Sequence, residues 1–284
     1  MKRKHCLNFI NMPLVALALT AGSAVAGTET VAAPAPAPAT EDVISATLSL
    51  ATNSHFISYG KDVWGDGSSM SSNNFNPMLE FAFKLPENFT LTMGTWWDVT
   101  AKGDGLPQTL GGDIYEIDLW AGLSYTYEKF TIGATYQAWV YGDGVEGIVD
   151  VKLGYDTFLS PTLTFHNRVS EGASGGDTGT IAVLGLSYSI EAGPVTFSIP
   201  VNVAANLTDE YNQFSSPGVA GSDTGYAYTS VGLQASYPLA FLGSTYGEWS
   251  VNGGITQYWT ESDVLPNNPI NQFLTYNVGL TATF

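Results

Sequence analysis

Residues 115–127, YEIDLWAGLSYTY, alternate in hydropathy with a period of two. One of the two rows is apolar throughout and consists of Tyr115, Ile117, Leu119, Ala121, Leu123, Tyr125 and Tyr127. Successive side chains of a β-strand point to opposite faces, so the segment predicts a strand with one oily face and one polar face. The fold therefore depends on whether the oily face contacts a protein core or a lipid bilayer.

The same alternation recurs from residue 43 to the end of the chain. It predicts twelve strands, at 43–58, 75–85, 89–98, 113–127, 130–141, 147–156, 162–170, 179–190, 195–204, 225–237, 248–260 and 272–284. Most of them approach the roughly 9–11 residues that a tilted membrane strand needs, and no segment has the roughly 18 apolar residues of a membrane helix. The chain is 44% hydrophobic but only 12% charged, whereas about a quarter of the residues of a soluble domain are charged. This balance is typical of apolar residues spread over many membrane strands.

The predicted connections alternate between long and short. Long connections at 59–74, 99–112 and 205–224 are separated by short ones such as 86–88 and 128–129, with the hairpin at 142–146 as the exception. Long extracellular loops and short periplasmic turns are the pattern of outer-membrane barrels. The alternative is a secreted β-sandwich that buries the aromatic residues in its core.

The two ends of the chain predict the compartment. Residues 1–26 combine a basic start, an apolar run and an Ala-Val-Ala cleavage site, which predicts a secretory signal peptide, and the Ala/Pro-rich residues 27–42 predict a periplasmic tether. The only cysteine, Cys6, lies in the signal peptide, so no disulfide or cysteine metal site is expected. Without residues 1–26, six Lys and Arg face 26 Asp and Glu, a formal charge of about −20 that excludes nucleic-acid binding.

The last nine residues, YNVGLTATF, form an alternating row that ends on an aromatic residue. Tyr276, Val278, Leu280 and Phe284 in this row resemble the C-terminal signal that the barrel-assembly machinery of the outer membrane recognises. Aromatic residues near strand ends are expected to form interfacial girdles; they are Trp97, Tyr127, Phe130, Tyr188 and Tyr237. Together these features predict an all-β protein, a single antiparallel transmembrane β-barrel of about twelve strands in the bacterial outer membrane, in contact with lipid and lipopolysaccharide.

Residues 116–122, EIDLWAG, resemble the EIDLYAG core of the TorF-like porin family. The segments TYQAWVYG (135–142) and SHFISYG (54–60) are similar in placement, and the resemblance covers most of the chain from Val43. The family's usual Phe-Arg-Gly after the first strand is replaced here by ISYG (57–60), which has no arginine. The resemblance implies an outer-membrane pore and brings no established substrate.

The polar rows of the strands predict the lining of a pore. The candidate pore-lining residues are Glu80, Asp98, Glu116, Asp118, Trp120, Asp150, Lys152, His166 and Arg168, and the other aromatic residues predicted to point inward are Trp96, Trp139, Tyr226 and Tyr228. If Asp156 pairs with Thr162, then Asp150 lies opposite Arg168 on the neighbouring strand. Opposed acidic and basic walls would orient dipolar solutes in a pore, or would close a narrow barrel with ion pairs.

We therefore expect an outer-membrane channel for passive diffusion of small polar solutes. Two other classes compete with it. A lipid-modifying enzyme would need a histidine with a serine or acidic partner on the outer wall or rim, and His55 and His166 are the only histidines of the strand region. A structural or adhesive barrel would act through its loops, where 209–210 and 261–263 are acidic. No cofactor, metal or catalytic motif is predicted.

Overall fold

The computed structural model describes residues 43–64, 73–101, 109–172, 176–209, 211 and 222–284. The predicted signal peptide (1–26) and tether (27–42) lie outside the described residues, so both stay predictions. No helix in these ranges is long and apolar enough to cross a membrane.

The described chain is almost entirely β-structure. Its strands are β1 Ile44–Asn53, β2 Ile57–Ser58, β3 Lys61–Asp62, β4 Asn74–Lys84, β5 Phe89–Val99, β6 Ile114–Tyr127, β7 Phe130–Val140, β8 Val145–Tyr155, β9 Thr162–Ser170, β10 Gly179–Ala192, β11 Val195–Asn206, β12 Gly225–Pro238, β13 Glu248–Thr260 and β14 Gln272–Thr283. Eleven of the twelve predicted strands agree with the observed bounds within two residues. The exception is the first, which was predicted over 43–58 and ends at Asn53.

The twelve long strands, β1 and β4 to β14, form one closed antiparallel barrel. Each strand pairs with its neighbours in the sequence, and β1 closes the ring by pairing with both β4 and β14. At this seam the backbones of Ala46 and Phe284 donate to each other at 3.1 and 2.9 Å. Lipid offers no hydrogen-bond partner to the backbone, so only a closed sheet can cross a bilayer with strands. The barrel therefore spans the outer membrane, with its longer loops extracellular and its shorter turns periplasmic.

The two faces of β6 confirm the predicted alternation. Leu119, Leu123 and Tyr127 are exposed on the outside of the barrel, while Asp118 and Trp120 are buried inside. Leu119, Leu123 and Tyr127 therefore contact lipid.

The prediction is wrong for Tyr115. A β-bulge separates the pair Asp98–Glu116 from the pair Val99–Ile114, and an extra residue of this kind redirects a side chain. The Tyr115 ring lies 4.5 Å from Trp64 and 5.7 Å from Tyr141, so it packs at the extracellular rim and does not face lipid.

Aromatic residues form a belt near the periplasmic rim. Pairs of rings from adjacent strands contact each other, at 4.9 Å for Phe89–Tyr125 and 4.4 Å for Phe130–Tyr155. The five residues predicted for the girdles are all exposed. Tyr127, Phe130, Tyr188 and Tyr237 lie near this rim, and Trp97 lies near the extracellular end of β5. Tyr276, Val278 and Leu280 lie on the outward face of β14, and Phe284, directly after its end, is exposed; their role in assembly stays a prediction. Amphipathic rings of this type are suited to the membrane–water interface.

Adjacent residues of β12 provide a test of the two faces. Leu233 is exposed on the outside and Gln234 lies on the inside. We expect Leu233→Arg to destabilise the barrel by roughly 2–4 kcal/mol because it puts a cation into lipid, and Gln234→Arg to cost much less because its guanidinium stays in a polar lumen. Urea unfolding in lipid vesicles measures both, and equal losses of stability would contradict the assignment of the faces.

Candidate channel constriction

The extracellular part of the barrel interior is densely filled. Each of the twelve wall strands contributes, near its extracellular end, an inward side chain that is at most 5% exposed. These closed-layer residues are Asn53, Asn74, Asp98, Glu116, Trp139, Ile148, His166, Ile181, Asn206, Tyr228, Tyr258 and Phe273. A water-filled passage at this level would leave at least some of them partly exposed, so the described residues close the lumen here.

The closed layer is completed by residues 54–64, which we call the lumen hairpin. They follow β1, turn away from the wall and form the two-stranded sheet of β2 and β3. The loop predicted at 59–74 was expected outside the barrel, and for 59–64 that prediction is wrong. Phe56 and Ile57 are almost fully buried, and the burial of such apolar side chains favours the interior over a watery loop.

A two-residue turn forms the tip of the lumen hairpin. Tyr59 and Gly60 have φ angles of 47° and 85°, the positive values of a tight β-hairpin turn. The Tyr59 ring lies 3.6 Å from the ring of His166 on β9. A Cβ atom at Gly60 would overlap the Tyr228 ring on β12. The tip therefore reaches from β1 to strands on other sides of the barrel. Position 60 favours glycine because its φ angle is positive and because a Cβ atom there would overlap the Tyr228 ring.

Polar side chains hold the lumen hairpin in place. Asn268, in the loop before β14, accepts from the Asp62 N–H at 2.8 Å and donates to the Gly60 carbonyl at 2.9 Å. On the opposite side, the Trp64 indole N–H donates to Asp98 at 2.8 Å. These contacts satisfy backbone and side-chain groups that would otherwise be buried without partners. The hairpin is thus anchored to the wall and to the last extracellular loop.

The hairpin also packs against an aromatic cluster of the wall. Phe56 of the hairpin and Trp96 and Trp120 of the wall form this cluster, with Met78 against it. The Phe56 and Trp96 rings lie 5.2 Å apart. The inward positions predicted for Trp96 and Trp120 are therefore correct, and both rings serve to close the lumen.

The charges of β8 and β9 are arranged differently from the prediction. The observed register pairs Asp150 with His166 and Ile148 with Arg168, so the predicted pair Asp150–Arg168 is wrong. The turn between the strands lies one residue earlier than assumed: the Tyr155 N–H donates to the Pro161 carbonyl at 3.0 Å, so the turn is 156–160 and not 157–161. The pairing shifts by two residues as a result.

A buried carboxylate–imidazole hydrogen bond and a buried ion pair result from this register. His166 Nδ1 lies 2.6 Å from Asp150 Oδ1, and Asp150 also accepts from Gln137 at 2.7 Å. Arg168 donates to Glu146 at 3.1 Å and to the Tyr211 carbonyl at 2.8 Å. Arg168 therefore links the wall to an extracellular loop. Glu146 and Gln137 were missed by sequence reasoning because Glu146 precedes the predicted start of its strand and Gln137 is uncharged.

The candidate pore-lining residues fall into two groups. Seven of them are buried within or beside the closed layer: Asp98, Glu116, Asp118, Trp120, Asp150, His166 and Arg168. Glu80 and Lys152 are half-buried on the periplasmic side of that layer. Tyr228 points inward as predicted, but the prediction for Tyr226 is wrong. Tyr226 is 44% exposed on the outer face, where its hydroxyl donates to Thr229, because the bulge between Ala204 and Ala205 changes the pairing of β11 with β12.

Below the closed layer, the interior is polar and less tightly packed. Its half-buried side chains come from many strands and include Ser49, Thr135, Thr164, Asn202, Gln234, Thr256, Thr275 and Asn277. We call this region the periplasmic vestibule. Its hydroxyl and amide groups can hydrogen-bond to water or to a polar solute.

The Lys61 side chain enters the lumen from the hairpin and is half-buried. Burial, followed by repulsion from Arg168, lowers its pKa to about 7, while Glu146, Glu116 and Asp62 act in the opposite direction. The lumen hairpin therefore carries a lysine whose protonation state changes near neutral pH.

The geometry also bears on enzymatic and metal chemistry. His55 and His166 both lie buried inside the barrel, whereas the lipid-modifying class of enzyme needs its histidine on the outer wall or rim. Ser54 Oγ lies 2.7 Å from His55 Nδ1, but it also accepts the Tyr276 N–H at 2.9 Å and is fully buried. Within the described ranges, no group of three or more His, Cys, Asp or Glu side chains is arranged to hold a metal ion.

No protein-family model matches the chain, and no curated protein matches it in sequence. The resemblance to the TorF-like family thus stays a prediction. Among solved structures, the chain is similar in fold to the KdgM porin, with 10% identity, a TM-score of 0.45, and 84% of this chain and 99% of that one covered. The NanC porin has 10% identity and a TM-score of 0.45, with 83% of this chain and 98% of that one covered. An outer membrane channel from Pseudomonas putida F1 has 11% identity and a TM-score of 0.48, with 85% of this chain and 95% of that one covered. These similarities are too low to transfer any property of those proteins to this chain.

Gly60 provides a test of the hairpin tip. We expect Gly60→Ala to destabilise the docked hairpin by roughly 2–4 kcal/mol, because it combines a positive φ with overlap on Tyr228. Gly243→Ala is the matched control, since Gly243 also has a positive φ, of 66°, but a Cβ atom there would meet no atom within 4 Å. Hydrogen exchange of a peptide covering 55–64 measures docking, and equal protection in the two variants would contradict the proposed close approach.

Lys61 makes docking of the hairpin pH-dependent. Docking lowers the pKa of Lys61 from its ordinary value of 10.5 to about 7, so the undocked state binds more protons between these values. Docking should therefore become more favourable as pH rises from about 7 towards 10, and should be insensitive to this residue below 7. The same hydrogen-exchange measurement, corrected for intrinsic exchange rates, should show this trend in the parent. A trend of equal size in Lys61→Met would exclude Lys61 as its cause.

Proposed function

We propose that the protein is a gated outer-membrane channel for the passive diffusion of small polar solutes. The observation that carries the proposal is the contrast between the two halves of the interior. The periplasmic vestibule is polar and half-exposed, whereas the extracellular half is closed by a hairpin that belongs to a loop. The lumen hairpin is the proposed gate.

The composition of the vestibule supports a polar solute. A barrel that had only a structural task could fill its whole interior with apolar side chains of the kind that Ile148, Ile181 and Phe273 supply in part of the closed layer. The vestibule instead carries hydroxyl and amide groups from many strands. Such groups replace part of the hydration shell of a solute without binding it tightly, which is the condition for passage.

The position of the gate supports regulated passage. The hairpin lies in the barrel but contributes no strand to it, since β2 and β3 pair only with each other. Its polar anchors include side-chain contacts at Asn268 and Asp98. Undocking would leave every ladder of the wall paired, so the lumen can clear without unfolding of the barrel.

Several finer assignments belong to the same proposal. We infer that the protein is a TorF-like porin, on the motif at 116–122. The row Tyr276, Val278, Leu280 and Phe284 would be bound by the barrel-assembly machinery during insertion, and the extracellular loops would contact lipopolysaccharide. The buried ion pair Glu146–Arg168 and the buried hydrogen bond between Asp150 and His166 would stabilise the closed gate. The charges of the candidate pore-lining residues would act on the solute once the hairpin has left the lumen.

One observation favours a second function. The closed layer involves every wall strand, which suits a structural or adhesive barrel that never conducts. The two functions differ in a single measurable property, the conductance of the purified barrel.

Replacement of residues 56–63 by a Gly/Ser segment of equal length tests the gate. In planar bilayers we expect brief, infrequent openings of the parent and long-lived steps of constant size in the variant, because the lumen is cleared. The control variant replaces residues 240–246, a periplasmic turn, in the same way and should behave as the parent does. Heat-dependent mobility on gels shows whether the variant barrel is folded. If a folded variant without the hairpin does not conduct, the channel function is overturned and only the structural function remains.

A further inference from the structure

Asp118 is an acid buried among aromatic rings at the closed layer. It lies on the inward face of β6 and is 0% exposed. The register places it between Trp96 on β5 and Trp139 on β7, and Trp120, also buried, follows two residues later on its own strand. The nearest inward neighbours of Asp118 in the sheet therefore include three indole rings.

Two of these indole N–H groups are directed away from Asp118. Trp120 donates to Glu80 at 3.0 Å, and Trp139 donates to Gln137 at 3.1 Å. Among the described residues, no N–H or hydroxyl group donates to either carboxyl oxygen of Asp118. An ionised carboxylate that is buried without a donor is strongly disfavoured, because it loses its hydration and gains nothing in return.

Other buried acids of the neighbouring strands differ from Asp118 in this respect. Each of three such acids accepts at least one N–H group: Asp98 from Trp64, Asp150 from Gln137, and Glu146 from Arg168. These acids can carry a negative charge because a donor stabilises it. Asp118 lies in the same sheet and is buried to a similar degree, but it has no such donor among the described residues.

Glu116 provides the hydrogen-bond partner of Asp118. The two residues are two apart on β6 and both point inward, and their carboxyl groups are hydrogen-bonded to each other. Glu116 Oε1 has no N–H or hydroxyl donor in the described chain. Ionised carboxylates only accept hydrogen bonds, so two carboxyl groups can bond to each other only when one of them carries a proton.

Charged and titratable groups face the pair from the surrounding elements. They are Asp98 on β5, Tyr115 on β6, Tyr141 after β7, Glu146 on β8 and Lys61 on the lumen hairpin. The acids repel a second negative charge on the pair, whereas the Lys61 ammonium attracts the charge of Glu116. The Tyr141 hydroxyl also bonds to Glu116. These contacts place the negative charge on Glu116 and the proton on Asp118.

We propose that Glu116 and Asp118 form a proton-binding site at the closed layer. While the lumen hairpin is docked, the pair holds one proton, which Asp118 donates to Glu116. Phe56 of the hairpin packs in one cluster with Trp96 and Trp120, so its withdrawal admits water to the indole rings around Asp118. The hydrated pair then releases its proton to the solvent, and docking takes one proton up again. The site does not depend on conduction, whereas its effect on passage rests on the proposed channel function.

Infrared spectroscopy of the purified full-length barrel tests for the proton directly. A protonated carboxyl group has a carbonyl stretching band that an ionised one lacks. We expect this band in the parent at pH 7 and a loss of its intensity in Asp118→Asn. The control Glu248→Gln removes an exposed acid at a periplasmic strand end and should keep the band. A parent without the band, or a band of equal size in Asp118→Asn, would overturn the proposal. The parent spectrum decides even if the variant does not fold.

Hydrogen exchange of the peptide covering 55–64 tests the link to docking. In Asp118→Asn the amide has nearly the shape of the acid and donates permanently to Glu116, so docking of this variant needs no proton at position 118. In the parent, the undocked pair releases its proton above about pH 4, whereas the docked pair retains it. The docked state thus binds one proton more, and docking of the parent weakens as pH rises.

The ratio of the two docking constants, variant over parent, isolates this effect. We expect the ratio to rise by up to about tenfold per pH unit between about pH 5 and 7. This range lies below the one in which Lys61 acts, and contributions of Asp98 and His166 are common to both proteins and cancel in the ratio. A ratio that does not change with pH would overturn the proposal.

Planar-bilayer conductance separates the proton site from the channel. A parent that shows the infrared band and the pH-dependent ratio but never conducts would leave the site standing and overturn the channel. A parent that conducts, without the band and with equally frequent openings at pH 5 and 7, would support the channel and overturn the site.

Discussion

The backbone of this protein has no hydrogen-bond partner in lipid other than itself. Every strand of the wall must therefore have two neighbours, and the pairing of β1 with both β4 and β14 meets that condition. Closure then separates the side chains of each strand into a lipid face and a lumen face. The exposure of Leu119 beside the burial of Asp118 follows from this separation alone.

This constraint explains which parts of the structure can be predicted from the sequence. A period of two is repeated along each wall strand, so the predicted bounds of eleven strands agree with the observed bounds within two residues. The errors occur where one residue breaks the period. The bulge at Tyr115 and the bulge between Ala204 and Ala205 each turn a side chain to the other face, and neither has a local sequence signal. The register of β9 depended on the position of one turn, which composition does not determine.

The lumen hairpin could not be predicted for a different reason. The pattern of 54–58 continues that of a strand, and residues 59–60 are an ordinary turn signal. What places them inside the barrel is contact with residues distant in the chain, namely Tyr228, Leu265 and Asn268. The hairpin also changes the meaning of the predicted charges. It excludes water from their side of the lumen, and a buried charge must then be paired. Glu146 is paired with Arg168, and Asp150 is hydrogen-bonded to His166 and Gln137, so these residues stabilise the closed layer of the described structure.

The closed layer and the vestibule share one packing unit. Phe56 belongs to the hairpin, Trp120 belongs to the wall, and they lie in the same cluster. The same Trp120 donates to Glu80, which faces the vestibule. Withdrawal of Phe56 removes a packing partner from the indole that positions the Glu80 carboxylate, so movement of the hairpin and the geometry at Glu80 are linked through direct contacts. Coupling of this kind is reciprocal: whatever stabilises Trp120 against Glu80 also stabilises the surface on which Phe56 docks. The barrel therefore has a physical connection between its periplasmic interior and its extracellular closure that does not require any strand of the wall to move.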